Sequence, residues 1–157
     1  MAERWQDEAD IRNLFDRYGS GVDGRDWDAW AQIFDDPLDT DFSGIDAAFP
    51  PVTLSRAAHV AGTQSVISQF DATQHMITNV QITLHGDHAD ARAVMRAEHW
   101  MNGLRGAPRY TMFGVYENTF RRTSDGWRIA RLSLRLIREE GNVAVWAEAL
   151  RRAQSSN

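Results

Sequence analysis

Past residue 73 the sequence carries four long strand-forming stretches separated only by tight-turn chemistry, and no other feature constrains the fold as strongly. They run over residues 75–84, 89–100, 109–122 and 127–137. Their separators are Gly86-Asp87, the segment from Asn102-Gly103 to Pro108, and Ser124-Asp125-Gly126, all of which favour chain reversal. Connections this short pair strands antiparallel, because parallel neighbours need a long crossover. Strands of this length also twist and curl, so the sheet is expected to wrap.

The first half of the chain has a different texture. Ala9, Ile11, Leu14, Phe15, Tyr18 and Val22 recur at three- and four-residue intervals, which predicts an amphipathic helix over 7–22. Gly19 and Gly21 weaken its end, and Gly24 suits a turn. Asp26 is placed to cap a short second helix carrying Trp27, Trp30, Ile33 and Phe34, which Asp35-Asp36-Pro37 then stops. A short strand is expected over 40–43, a break at Phe49-Pro50-Pro51, a third helix over 54–70, and a last helix or arm over 143–153. Helices followed by an antiparallel meander is an α+β pattern. The sheet would curl around the helices and leave a pocket at one end. One domain is expected over 1–157, with its core over 7–140 and an arm over 141–157.

Composition removes several chemistries. There is no cysteine, hence no disulfide, thiolate metal site or cysteine nucleophile. All 17 basic residues are arginine, so Schiff-base and P-loop lysine chemistry are excluded. No cofactor is expected. A net charge of −5 argues against a general nucleic-acid surface. The arginines over 121–138 are expected on a solvated face or as partners for the acidic N-terminal helices. Apolar runs are too short for a membrane span, and the acidic start Met1-Ala2-Glu3-Arg4-Trp5-Gln6-Asp7-Glu8 lacks the apolar core of a signal peptide. A cytoplasmic location is expected. His85 and His88 flank Gly86-Asp87 in a turn and are expected to be solvated, so no metal site is assigned. His59 on the third helix reads as structural.

Two residues point to chemistry. Asp23 closes the first helix at a glycine-flanked turn, and His75 opens the first long strand. Brought together, they form a general base with its orienting partner. Histidine suits that task because its ordinary pKa of about 6.5 leaves a neutral base near pH 7. Each has a plainer reading, Asp23 as a turn residue and His75 as a hydrogen-bonded structural histidine. His99 sits on a strand whose alternate positions Ala93, Met95 and Ala97 are small or apolar, so it either assists the reaction or is a buried histidine with a backbone partner. Tyr18 shares a helix face with Leu14 and Val22, and is either a hydrogen-bond donor to substrate or a core aromatic. Trp100 and Trp146 are candidates for a pocket rim or a subunit contact, and Met76, Met95, Met101 and Met112 for apolar pocket lining.

These motifs carry a family resemblance. Val22-Asp23-Gly24-Arg25-Asp26-Trp27-Asp28, Thr73-Gln74-His75, and Gly114-Val115-Tyr116-Glu117-Asn118-Thr119 leading to Ser124-Asp125-Gly126-Trp127-Arg128-Ile129 resemble the SnoaL-like branch of the nuclear transport factor 2-like superfamily. The resemblance implies a cone-shaped α+β barrel, with N-terminal helices packed into a strongly curved, mostly antiparallel sheet. Asp23 and His75 resemble the proton-abstracting dyad of scytalone dehydratase, the bile-acid dehydratases and the lindane dehydrochlorinase. His99 falls at the second catalytic histidine of scytalone dehydratase, and Tyr18 matches the tyrosine–aspartate spacing of the bile-acid dehydratases. Val22 and Phe42 replace the two tyrosines that hold water in scytalone dehydratase, which argues against that enzyme's own reaction.

The function expected is a cofactor-independent lyase or isomerase of the dehydratase type. It would remove a carbon-bound proton from an apolar, ring-containing polyketide, steroid or terpenoid. Asp23, His75, His99 and Tyr18 would be catalytic, and Val22, Phe42, Met95, Met112 and Tyr116 would line the substrate pocket. Two alternatives share the fold: a non-catalytic binding or assembly module, and a polyketide cyclase or epoxide-opening enzyme. The partners expected are a small apolar or aromatic substrate and further copies of the chain, as a trimer or a dimer.

Overall fold

The computed structural model describes residues 2–155. Its elements are α1 (Ala2–Gly24), α2 (Trp27–Ala31), β1 (Phe34–Asp41), β2 (Val52–Leu54), α3 (Arg56–Ile67), β3 (Ala72–His85), β4 (His88–Trp100), β5 (Arg109–Thr123), β6 (Gly126–Gly141) and α4 (Val143–Ser155). The six strands form one sheet in the order β2-β1-β6-β5-β4-β3. β3 to β6 make the expected antiparallel meander. The sheet is strongly curved but unclosed, with β2 and β3 at its edges.

Four expectations need correction. The strand placed over 40–43 instead spans Phe34–Asp41, so α2 is only five residues long and Phe34 belongs to the sheet. Pro37 sits inside β1 rather than merely ending a helix; the pairing of β1 with β6 is interrupted between Phe34 and Asp39, where a missing N–H does no harm. The β1–β6 pairing is parallel, which a pure meander does not contain. The segment 54–70 also divides, Val52–Leu54 pairing with β1 and Ser55 capping α3 by accepting the Ala58 N–H.

Curvature comes from irregularities in the ladders. β3 slips register between Thr78 and Gln81, with Asn79 at φ 54°, and β5–β6 shifts at Phe113/Gly114 and Thr119/Phe120. Each extra residue bends its strand. α1 lies in the concave side, burying Ile11, Leu14, Phe15 and Val22; Phe15 packs edge-on against Phe120 at 5.6 Å. The inner face of β4 carries Ala89, Ala91, Ala93 and Ala97 beside Met95 and His99, and the four alanines are too small to fill the concavity.

The end of α1 is locked in detail. The Asp26 N–H donates to the Gly21 carbonyl at 3.0 Å and the Arg25 N–H to the Val22 carbonyl at 3.3 Å, a Schellman arrangement. Its left-handed residue is Arg25, at φ 56°, and not the neighbouring glycine. The Arg25 guanidinium donates to the Phe70 carbonyl at 2.5 Å, a bond glycine could not supply. Asp26 caps α2 as expected, accepting the Ala29 N–H.

Gly114 marks a close approach of β5 and β6. A Cβ there would lie 2.9 Å from the Arg135 carbonyl oxygen and 3.0 Å from Leu134 Cδ1. Gly114→Ala is therefore expected to destabilise the fold by about 1–3 kcal/mol, read as a lower urea midpoint. Gly62→Ala in α3, where a Cβ meets nothing, should raise it by about 0.4–1 kcal/mol.

Candidate functional site

Asp23 lies in the last turn of α1, where the helix dipole disfavours a carboxylate. Three hydrogen bonds hold it there. Its Oδ1 accepts the Thr73 hydroxyl at 2.8 Å and lies 2.7 Å from His75 Nδ1, while Oδ2 accepts the His75 backbone N–H at 2.6 Å. Helix and strand can come this close because of Gly19, whose Cβ would stand 3.2 Å from the His75 carbonyl oxygen. Burial pushes the Asp23 carboxyl up, but the His75 and Thr73 bonds outweigh it and hold the group below the usual carboxylate range. An ionised Asp23 assigns the ring proton to Nδ1. Nε2 then carries the lone pair, and no described residue bonds it.

His75 lines a cavity of about 550 Å³ inside the curled sheet. The α3 wall contributes Ala58, His59 and Val66, the β1–β2 connection Phe42 and Phe49, and α4 Trp146 and Leu150. No aspartate, glutamate or arginine is among the lining residues. Val22, Phe42, Met95, Met112 and Tyr116, the five positions expected to line a pocket, all do so, and so do Tyr18 and His99. Met76 is exposed and Met101 is buried elsewhere in the core.

The rings near His75 differ in character. His99 lies on one side, its centroid 5.7 Å away. Burial and the neighbouring His75 push its pKa down to about 3, so at neutral pH it offers a neutral N–H or a lone pair rather than an imidazolium. Tyr18 lies on the other side at 6.4 Å and contacts Tyr116 at 5.3 Å. Tyr116 donates its hydroxyl to Tyr18, and burial raises Tyr18 to about 12 and pushes Tyr116 well above its ordinary value. Both phenols keep their protons, and that of Tyr18 is left to donate to an oxygen.

Other candidates fall outside the cavity. His85 Nε2 pairs with Asp90 at 3.2 Å, and no metal-binding cluster occurs among the described residues. Much of the arginine-rich run pairs with remote acids: Arg121 with Asp35, Arg122 with Asp7, and Arg131 with Asp41. Trp100 is not in the lining, whereas Trp146 is. No described helix is long and apolar enough to cross a membrane.

Two residues at the site escaped the sequence reading. Thr73 was legible only as part of a motif, since nothing local says that its hydroxyl meets Asp23. His59 read as structural, yet it lines the cavity at 5% exposure, its ring stacked on Trp30.

The sequence matches the profile of the SnoaL-like domain over residues 3–133. The chain belongs to the SnoaL-like family. Among solved structures, this SnoaL-like domain is similar to the Kfla4162 protein of Kribbella flavida, with 32% identity, a TM-score of 0.87, and coverage of 92% of this chain and 99% of that one. A Novosphingobium aromaticivorans protein assigned as an aromatic ring hydroxylase is 26% identical, with a TM-score of 0.77 and coverage of 90% and 96%. The fold alone is shared with two further proteins. One, also from N. aromaticivorans and assigned as a scytalone dehydratase, has 20% identity, a TM-score of 0.78 and coverage of 90% and 92%. The other is a hexachlorocyclohexane dehydrochlorinase of Novosphingobium barchaimii, with 16% identity, a TM-score of 0.76 and coverage of 92% and 95%.

The buried histidines of the SnoaL-like domain make its stability depend on pH. Burial lowers His59 to about 4 and, with His75, His99 to about 3. In the unfolded chain both take up a proton near pH 6.5. Between those values the unfolded state holds more protons, so stability is greatest above about pH 6.5 and is lost as pH falls. Urea unfolding from about pH 7 down to about pH 4 is expected to follow that decline. His59→Phe should flatten it by about one proton.

Proposed function

We propose that this SnoaL-like domain is a cofactor-independent lyase or isomerase that removes a carbon-bound proton from a neutral, mostly apolar, ring-containing substrate. The observation that carries this reading is the Asp23–His75 pair, 2.7 Å apart, with the imidazole facing a cavity whose lining has no formal charge. Dehydratases and a dehydrochlorinase with the same fold are consistent with that class of reaction.

The chemistry follows from the charges. A proton on a carbon next to a carbonyl passes to His75 Nε2, and the C–H electron pair moves into the carbonyl to form an enolate. His75 becomes an imidazolium, and the ionised Asp23 at Nδ1 balances its charge inside the apolar cavity. The neutral phenol of Tyr18, itself accepting from Tyr116, or the N–H of His99, donates to the enolate oxygen. A hydroxyl on the adjacent carbon can then leave with the imidazolium proton, giving water and an alkene. Without a leaving group, the proton returns to a different carbon and the result is isomerisation. Polyketides, steroids and terpenoid ketones or alcohols have the size and polarity for this cavity.

The reading is tested without knowing the natural substrate. Deuterium exchange next to the carbonyl is followed by NMR for a panel of neutral polycyclic ketones: a steroid, a tetralone and an anthrone. The wild-type protein should accelerate exchange in at least one of them, and His75→Ala should lose about 10²–10⁴-fold of that rate. Asp23→Asn should lower the rate while ligand affinity stays close to wild type. Absence of catalysed exchange across the panel, or exchange that survives His75→Ala, would overturn the proposal.

A further inference from the structure

His59 is unusual among the buried polar groups. It is 5% exposed, lines the cavity, and neither ring nitrogen forms a hydrogen bond with a described residue; its Nε2 is buried and unpaired, as are His99 Nδ1 at the reacting end and Arg56 Nε outside the lining. Burial without a partner holds the ring neutral at physiological pH, with its pKa at about 4. Its packing would suit a plain aromatic ring, stacked on Trp30 at 5.4 Å and edge-on to Phe34 at 4.8 Å. Phenylalanine would fill that space without leaving a polar group unsatisfied, which is costly in an interior. A hydrogen-bonding group on a molecule bound in the cavity can give the imidazole the partner that the described residues do not.

Its position says which part of that molecule. Trp30 and Phe34 separate His59 from Tyr18, with Tyr18 centroids 5.4 Å from Trp30 and 6.2 Å from Phe34. Tyr18 in turn stands between this group and His75. His99 lies beyond His75. Polar rings thus occur in two places along a mostly apolar cavity whose other polar side chains are Thr40 and Thr63, the reacting end at His75, His99 and the tyrosines, and the α3 end at His59.

We propose that His59 is a specificity-determining residue that hydrogen-bonds an uncharged oxygen at the end of the ligand remote from the reacting carbon. The ligand class is a neutral polycyclic molecule with an oxygen at each end. An uncharged oxygen suits the remote end, because the lining holds no aspartate, glutamate or arginine to pair with a charged group. The inference deepens the proposed function by naming its substrate class and rests on the same cavity.

The test uses dihydrotestosterone, which has a ketone and a hydroxyl at opposite ends, and its deoxy analogue lacking that hydroxyl. Calorimetric titration gives their affinities for the wild type and for His59→Phe, His59→Gln and His75→Ala. Wild type and His75→Ala should bind the hydroxyketone about tenfold more tightly than the deoxy ketone. His59→Phe should erase that preference while binding the deoxy ketone as before, and His59→Gln should restore part of it. No preference in the wild type, a preference that persists in His59→Phe, or no binding of either steroid would overturn the assignment. So would a His59→Phe protein that is simply more stable with unchanged affinities, which marks the histidine as packing alone. Deuterium exchange on the same ketones separates the two readings. A preference without exchange leaves His59 standing and removes the proton-abstraction reading, and exchange without a preference does the reverse.

Discussion

The Asp23 carboxylate is the point on which the rest of the architecture turns. It stands where a helix dipole opposes it, and two segments of β3 hold it in place through a hydroxyl, a backbone N–H and a ring nitrogen. These contacts fix the angle at which α1 enters the curled sheet. They also fix the tautomer of His75, because an ionised acceptor at Nδ1 leaves Nε2 without a proton. Packing and chemistry are here the same set of bonds. The glycine at position 19, a poor helix former, is what lets the two elements meet.

The charge distribution around the cavity gives that arrangement its meaning. Charged side chains sit outside the lining, and Arg121, Arg122 and Arg131 of β5 and β6 pair with acids on α1 and β1. The carboxylate behind His75 is thus the nearby anion available when a proton reaches the ring. In a weakly polar interior such a counter-charge is worth far more than in water. The neighbouring His99 stays uncharged for the same reason, since a second cation beside His75 would be repelled and poorly solvated.

Much of this was legible in the sequence. Strands β3 to β6 were readable because glycine-containing turns bound them and because each is long. The Asp23–His75 pair was legible from a carboxylate at a helix end and an imidazole at a strand start, and family resemblance reinforced it; Met95 and Met112 followed from residue type, Val22 and Phe42 from the resemblance. β1 was not readable. Its sequence, Phe34-Asp35-Asp36-Pro37-Leu38-Asp39-Thr40-Asp41, is rich in acids and contains a proline. Its strand character depends on Arg121 and Arg131, which come from far along the chain to pair with Asp35 and Asp41. Local windows do not hold that information. His59 was hidden for a similar reason, since only the assembled cavity distinguishes a histidine in a core from one facing a ligand.

The place of β6 in the sheet has a consequence for how the molecule comes into being. Because β6 lies between β5 and β1, the first and second strands made during translation have no neighbour in the main sheet until nearly the whole chain has left the ribosome. α1 can dock on β3 through Asp23, but the β1–β2 pair must wait for β6 before it joins the sheet. Contacts of such long sequence separation are slow to form, and exposed surface in the interval invites association with other chains. Here the order of synthesis and the order of assembly run in opposite directions.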